Sequence, residues 1–429
     1  MESPGPKPKA NSLKQNSVKK AFYVKKDNWS NIESYSTQEN KTKSLIINEA
    51  LELMFTQLYG RSQEEDENDY WTIVSLFSGC GGMDLGFEGD FNYLGEYYSS
   101  NHHVPEGKSF DVLFANDILP EACSTYEEFF CQNRGKNTYI HEGDIAEFLD
   151  KMLLLPEEHR HTIFPKYCDV VIGGFPCQDF SVSGKRKGLS SNRGRLYLQM
   201  KRVIELTRPK IFIAENVKGL TNLEKALDII SHDFANTGKY GYHIAHKLHM
   251  AADYGVPQTR ERVFICGIRG DLDPTMFKFP DETHSVDSAT ELQSWVPASR
   301  AIGDLTEAHP NQSQYSKAKN YGSHCQGNKP IRADYPSPTI RAEHHGNIEF
   351  HYSEKRRLSV RECARIQSFP DDFVFRCSAS KAYKLIGNAV PPVLAWHIAQ
   401  ATTKALLRWE NENRESETLN QVSQISLMA

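Results

Sequence analysis

The stretch TIVSLFSGCGGMDLG, residues 72–86, decides how this chain is read. A short β-branched run, TIVSLF (72–77), stops at Phe77-Ser-Gly-Cys-Gly-Gly, and the residues that follow open a helix. Glycines at such a junction allow a tight turn and the close approach of a ligand to the backbone. The spacing is related to the GxGxxG of dinucleotide folds but does not match it. Four further runs continue the rhythm: DVLFAN (111–116), DVVIGG (169–174), IFIAEN (211–216) and RVFICGI (262–268), with helical segments between them. Such alternation points to parallel strands buried on both faces. The expected fold is therefore α/β, a doubly wound, mostly parallel sheet.

Outside this core the text changes character. Residues 1–40 are rich in Lys, Ser, Asn and Gln and read as a basic arm, better explained as a solvated tail than as a DNA-binding one. Residues 43–59 carry apolar residues at helical spacing, and 64–69 (EEDEND) form an acidic linker. After Gly270 the alternation is lost, and residues 271–355 are loop-like, with many Pro, Asn, Ser and His. A helix is expected at Leu358–Ile366, and a last one from the Pro391-Pro392 pair to about Trp409.

The 429 residues suffice for a large core, and the formal net charge of −5 neither requires nor excludes a nucleic-acid partner, which needs only a local basic face. No run is apolar and long enough to span a bilayer, and the polar N-terminus does not read as a secretory signal, so a cytoplasmic protein is expected. Nine cysteines without a CxxC pair make a zinc site or a disulfide framework improbable, and no metal is expected. One thiol is then free to do chemistry.

In an open parallel sheet, ligands bind outside the carboxyl ends of the strands. Asp117 ends the second run, where a carboxylate can accept ribose hydroxyls, although a helix-capping Asp would look the same. Asp144, in Gly143-Asp144-Ile145, is either a further ligand contact or a turn residue. The third run leads into Phe175-Pro176-Cys177-Gln178, which puts Cys177 beyond a strand end rather than in the core. The fourth ends in Glu215, and a lone carboxyl group there is costly without a partner or a substrate. A thiol nucleophile and a proton-donating carboxyl facing each other suit attack on an electron-poor ring. Between them, SVSGKRKGLSSNRGRL (181–196) reads as a basic lid for an anionic polymer. In Gln258-Thr-Arg260-Glu-Arg262, the alternate arginines are expected to point the same way, either towards a substrate or into surface ion pairs.

Taken in order, FSGCGG, GGFPCQ, RGRL, ENV, QTRER, RLSVRECARIQSFPDDF and KLIGNAVPP resemble the motifs of the DNA cytosine-carbon-5 methyltransferase family, most like bacterial restriction–modification methylases, over about 71–270 and 356–405. The resemblance implies that Cys177 attacks carbon 6 of a flipped cytosine, that Glu215 engages ring nitrogen 3, and that Arg260 and Arg262 steady the base and the loop. It implies S-adenosyl-L-methionine as cofactor, held by Phe77, Gly79, Gly81, Asp117, Ile118, Asp144, Ile145, Pro176, Leu196 and Asn388. Ile118 stands where relatives often carry an aromatic residue. Gln178, Ser181, Arg193 and Gln258 would contact DNA. The implied organisation is an N-terminal arm, helix and linker (1–70), a catalytic domain (71–270), a target-recognition domain (271–355), a return to the catalytic domain (356–409) and a tail (410–429). Residues 89–110 are longer than the usual link and have no assigned role.

The partners implied are double-stranded DNA and, functionally, a restriction endonuclease of the same specificity, with the chain a monomer associated with the nucleoid. Two other classes fit parts of the text: a tRNA cytosine methyltransferase on the same scaffold, and a non-catalytic DNA-binding regulator. A nicotinamide-dependent oxidoreductase would rest on the glycine turn alone.

Overall fold

The computed structural model describes residues 69–176, 196–221, 224–287, 289–305, 330–342 and 349–428. The arm, helix and linker expected before residue 69, together with Cys177, Gln178, Ser181, Arg193 and the basic loop, lie outside the described residues. All described residues belong to one compact unit, Tyr59–Ala429.

Thirteen strands are named in chain order. They are β1 (Tyr70–Leu76), β2 (Phe91–Tyr93), β3 (Glu96–Tyr98), β4 (Ser109–Asp117), β5 (Tyr139–Glu142), β6 (Val170–Gly173) and β7 (Ile211–Val217), then β8 (Tyr242–Met250), β9 (Gln258–Thr259), β10 (Glu261–Arg269), β11 (His284–Ser285), β12 (Gln293–Ser294) and β13 (Ser337–Pro338). Seven of them form the central sheet, in the order β5-β4-β1-β6-β7-β10-β8. The first five run parallel, and β10 runs antiparallel to both of its neighbours. This is the S-adenosylmethionine-dependent methyltransferase fold, mostly parallel as expected.

The run 262–268 is therefore not a parallel strand, contrary to the sequence reading. Only residues 251–260 separate β8 from β10, too few for the crossover that a parallel pair needs. A strand buried on both faces reads the same in either direction. The β8 strand itself, YHIAHKLHM, escaped notice because it is an edge strand, mostly exposed or half-buried and carrying three His and a Lys among its nine residues.

Alternate side chains of each central strand enter opposite cores. Ile73, Val170, Ile172, Ile213, Phe264 and Cys266 face a layer that contains Leu85, Ile366, Leu385 and Leu394. Val74, Leu76, Val171, Phe212, Ala214, Val263 and Ile265 face a layer that contains Leu149, Val203, Ile204 and Ile230. Burying each such side chain contributes about 1.5–3 kcal/mol. The described ends of 271–355 join the first layer through Phe277, Ala301, Ile302, Ile331 and Ile340.

The last helix, Pro392–Met428, runs well past Trp409. No Pro or Gly interrupts the chain after Pro392, and Glu410 gives that continuation a foothold by accepting from Trp71 Nε1 at 2.7 Å. The helix Gly82–Glu88 packs on its first half, where Gly86 leaves no room for a Cβ against Ala395. Residues 89–110 fold as the β2–β3 hairpin and a turn whose His102 is fully buried, its Nε2 3.1 Å from Gly86 O. Among the described residues, no helix is long and apolar enough to cross a membrane.

Candidate active site

The carboxyl ends of β1, β4, β5, β6 and β7 share one edge, and there the sheet delivers Phe77, Asp117, Gly143-Asp144, Gly174–Pro176 and Glu215. The glycine turn is built by backbone geometry. Phe77 sits at φ 53°, a conformation uncommon for a residue with a side chain, and Gly79 and Gly81 follow at φ 57° and 87°. Gly81 is irreplaceable on steric grounds, because a Cβ would lie 2.3 Å from the Phe130 ring. Gly79 is different: a Cβ there would meet nothing within 4 Å, so its backbone faces open space.

Asp117 anchors that turn. Its Oδ2 accepts from Gly79 N and its Oδ1 from Leu119 N, both at 2.8 Å. Burial pushes its carboxyl above the usual range, and these two donors oppose the rise. The second contact is an Asx turn onto Leu119, the N-cap residue of the helix Pro120–Tyr126, which carries no side-chain cap, so Asp117 is a crevice residue and not the helix cap that the sequence left open. Ile118, beside it, is 64% exposed, a large apolar side chain turned to solvent at the mouth of the site. Asp144 caps the helix Ile145–Leu153 by accepting from Ala146 N at 2.7 Å, while Ile145 is buried beneath it. Pro176 and Asn388 are exposed and Leu196 is half-buried, at the start of the helix Leu196–Thr207.

The acidic half of the site is at the end of β7. Glu215 is 8% exposed, and its Oε1 lies 2.9 Å from Arg262 Nε on neighbouring β10. Burial raises the Glu215 carboxyl, and Arg262 and then Arg260 pull it back. Gly174 lies against the same carboxylate, since a Cβ there would stand 3.0 Å from Glu215 Oε2. Gly174, one residue past the end of β6 and three before Cys177, is thus packed beside Glu215. Asn216 reinforces this by donating from Nδ2 to Phe175 O at 3.0 Å.

The two arginines do not point the same way. Arg260 falls between β9 and β10, outside the strand period, and donates from its terminal nitrogens to Ile340 O (3.0 Å) and Gly387 O (2.9 Å). It ties the segment after β13 to the helix Ala379–Asn388, and Arg262 alone pairs with Glu215. Gln258 is also placed differently from the expectation that it contacts DNA. It is fully buried: its Nε2 donates to Gln367 Oε1 at 2.5 Å, and its Oε1 accepts from Ile340 N at 2.9 Å. Both residues build the wall of the site rather than its surface.

The sequence reading gave no role to Asn116, Asn216 or Gln367. The signal was present at the first two, since a polar residue closing an apolar strand has to be bonded, the same argument that singled out Glu215.

Comparison with known proteins identifies the family. The family model described as C-5 cytosine-specific DNA methylase matches residues 71–334 and 306–404. The chain is 35% identical to Type II methyltransferase M.NgoFVII of Neisseria gonorrhoeae over 75% of this chain and 83% of the relative. It is 32% identical to Type II methyltransferase M.BspRI of Lysinibacillus sphaericus over 86% and 91%. Among solved structures, the S. pombe Dnmt2 methyltransferase superposes with a TM-score of 0.52 at 18% identity, over 79% of this chain and 99% of that one, which speaks to the fold. With its motifs in order, its sheet edge assembled and the family model spanning most of its length, the chain belongs to the C-5 cytosine-specific DNA methylases.

Proposed function

We propose that this enzyme transfers a methyl group to carbon 5 of a cytosine flipped out of a specific duplex sequence, through a covalent adduct with Cys177. The observation that carries the reading is the Glu215–Arg262 pair, buried beside Gly174 at the strand end that leads to Cys177.

The cytosine ring is too electron-poor at carbon 5 to attack an alkyl donor directly. Addition of the Cys177 thiolate to carbon 6, with Glu215 giving its proton to ring nitrogen 3, turns carbon 5 into an enamine-type nucleophile. After methylation, carbon 5 loses its proton to water, the carbon 6–sulfur bond breaks to release the thiolate, and ring nitrogen 3 returns its proton to the Glu215 carboxylate, which restores the acid of the first step. Burial favours the protonated Glu215 that the first step requires, while Arg262 keeps the carboxyl oriented. The target atom lies within the base stack, so the base has to be extruded into the crevice.

S-adenosyl-L-methionine, when bound, supplies an electrophilic methyl on a sulfonium centre. The residues fit such a ligand. Open space over Gly79 admits it to the backbone, Asp117 offers a carboxylate to a ribose, and Ile118 offers an exposed apolar face to an adenine. Phe77, Gly81, Asp144, Ile145, Pro176, Leu196 and Asn388 would line the rest. Gln178, Ser181 and Arg193, on the basic loop, would meet the DNA, and 271–355 would read its sequence. The names of the relatives support a type II restriction–modification role, in which this enzyme acts as a cytoplasmic monomer and protects host DNA from an endonuclease of matching specificity.

The test is transfer of labelled methyl groups to duplex DNA and to tRNA, followed by bisulfite mapping of the DNA product. Modification of one cytosine within a fixed duplex sequence is expected. Transfer to tRNA alone would refute the DNA reading.

A further inference from the structure

Asn116 is 1% exposed and stands where three strands of the sheet end together, opposite Leu76 of β1 and His141 of β5. Its side-chain nitrogen donates to two carbonyls, His141 O and Gly143 O, both at 3.0 Å. An amide nitrogen carries two hydrogens, so its donor capacity is filled. Its own carbonyl accepts from Ser78 N at 2.9 Å and from Ser78 Oγ at 3.2 Å. One buried residue is thus bonded to the glycine turn on one side and to the Gly143-Asp144 turn on the other. Its neighbour Asp117 repeats the pattern, with Oδ2 on Gly79 N and its carbonyl on Gly143 N at 3.0 Å.

We infer that Asn116 is a positioning residue that sets the seat of the cofactor, holding the Gly79 backbone, the Asp117 carboxylate and the Gly143-Asp144 turn at fixed mutual distances. The inference rests on the cofactor reading above. Ligand groups that must be met by three separate chain segments are held only as well as those segments are held to each other. At Gly143 the backbone adopts φ 153°, and the chain leaves the sheet there for the helix that starts at Ile145. The Asn116 amide fixes that exit at the point where sheet pairing stops. A valine or leucine would continue the apolar run of β4 equally well, but it would leave the His141 and Gly143 carbonyls without these donors. Asn116 itself does not touch the ligand and takes no part in proton transfer.

The experiment is calorimetric titration of the full-length protein with S-adenosyl-L-methionine and with S-adenosylhomocysteine, for wild type, Asn116→Ala, Asn116→Asp and Ser78→Ala. It is paired with steady-state kinetics on duplex DNA and with thermal unfolding. Asn116→Ala is expected to raise the Kd and KM for the cofactor by about tenfold or more. At saturating cofactor, kcat should stay within about threefold, and KM for DNA should not change. Asn116→Asp keeps the size of the side chain but turns an oxygen towards two carbonyls, and it should bind at least as poorly. Ser78→Ala removes only the longer contact to the Asn116 carbonyl and should weaken binding by roughly two- to threefold.

A merely structural role predicts instead that the two KM values and kcat change together with a lowered melting temperature. That outcome, or cofactor affinities equal to wild type in folded Asn116→Ala and Asn116→Asp, would overturn the inference. If Asn116→Ala does not fold, the order of affinities wild type, Ser78→Ala, Asn116→Asp decides, and equal values refute it. Failure of wild type itself to bind either ligand would instead sink the cofactor reading on which the inference stands.

Discussion

Replacing Arg262 by Ala removes the cation 2.9 Å from a carboxyl group that is itself buried. At that distance and an effective dielectric constant of about 20, the Coulomb attraction removed is about 6 kcal/mol. The loss in stability cannot reach that figure, because the stranded carboxyl can escape by taking up a proton. For a group whose ordinary pKa is 4.5, protonation at pH 7 costs about 2.5 × 1.36, or about 3 kcal/mol, and at pH 5 less than about 1 kcal/mol. The variant should therefore be destabilised by about 3 kcal/mol at pH 7 and by much less at pH 5. The sign follows from linkage. A folded-state pKa raised above 4.5 means that the native protein holds a proton that the unfolded chain has released, so stability falls as pH rises from 4.5 towards the folded pKa. Urea unfolding at pH 5 and pH 7 measures the difference. The double variant Glu215→Gln/Arg262→Ala has no charge to strand and should recover most of the loss at pH 7, with a flat pH response. A destabilisation that is the same at both pH values, or a double variant no more stable than Arg262→Ala, would refute the reasoning.

Other consequences can be measured separately. The buried His102 ring is held down to about 4 by burial, against an ordinary value of 6.5, so stability should be lost as pH falls from 6.5 to 4. Its share is about 3 kcal/mol, and His102→Asn should flatten the acid limb of the unfolding curve by about that amount while leaving the contributions of His249 and His397, which have the same sign. Gly387→Ala would set a Cβ 2.3 Å from the backbone at Arg341 and Ala342, so a loss of about 3 kcal/mol or more is expected in thermal unfolding. Gly79→Ala has room for its Cβ and should cost only about 1 kcal/mol, from its positive φ, yet weaken cofactor binding in a direct titration.

The part of the fold that the sequence made legible is the part where burial on both faces leaves no choice of residue. Runs such as DVVIGG and IFIAEN had to be central strands. The edge strands YIHE and YHIAHKLHM are half-solvated, so they carry His, Glu and Lys and do not stand out from loops. The direction of β10 was not legible, because direction is set by the short link from β8 and not by the composition of the strand. At the site, Glu215 and Asp117 were legible because an acid at the end of an apolar run has to be accounted for. The parts played by Gln258 and Arg260 were not, because alternation predicts a shared direction only within a strand, and β10 begins after Arg260. Their partners, Ile340, Gln367 and Gly387, lie about 80 to 130 positions away in the sequence.

The covalent step at Cys177 is the centre of the account, and a duplex carrying 5-fluorocytosine at the target position tests it most directly. Fluorine replaces the proton that carbon 5 must lose, so the thiolate cannot be expelled after methylation. With S-adenosyl-L-methionine present, wild type should form a denaturant-resistant complex with this DNA, with the duplex attached to the peptide that contains Cys177. Cys177→Ser should form none while still binding the cofactor. Absence of the complex with wild type that methylates the unmodified duplex, or attachment through another residue, would contradict the mechanism.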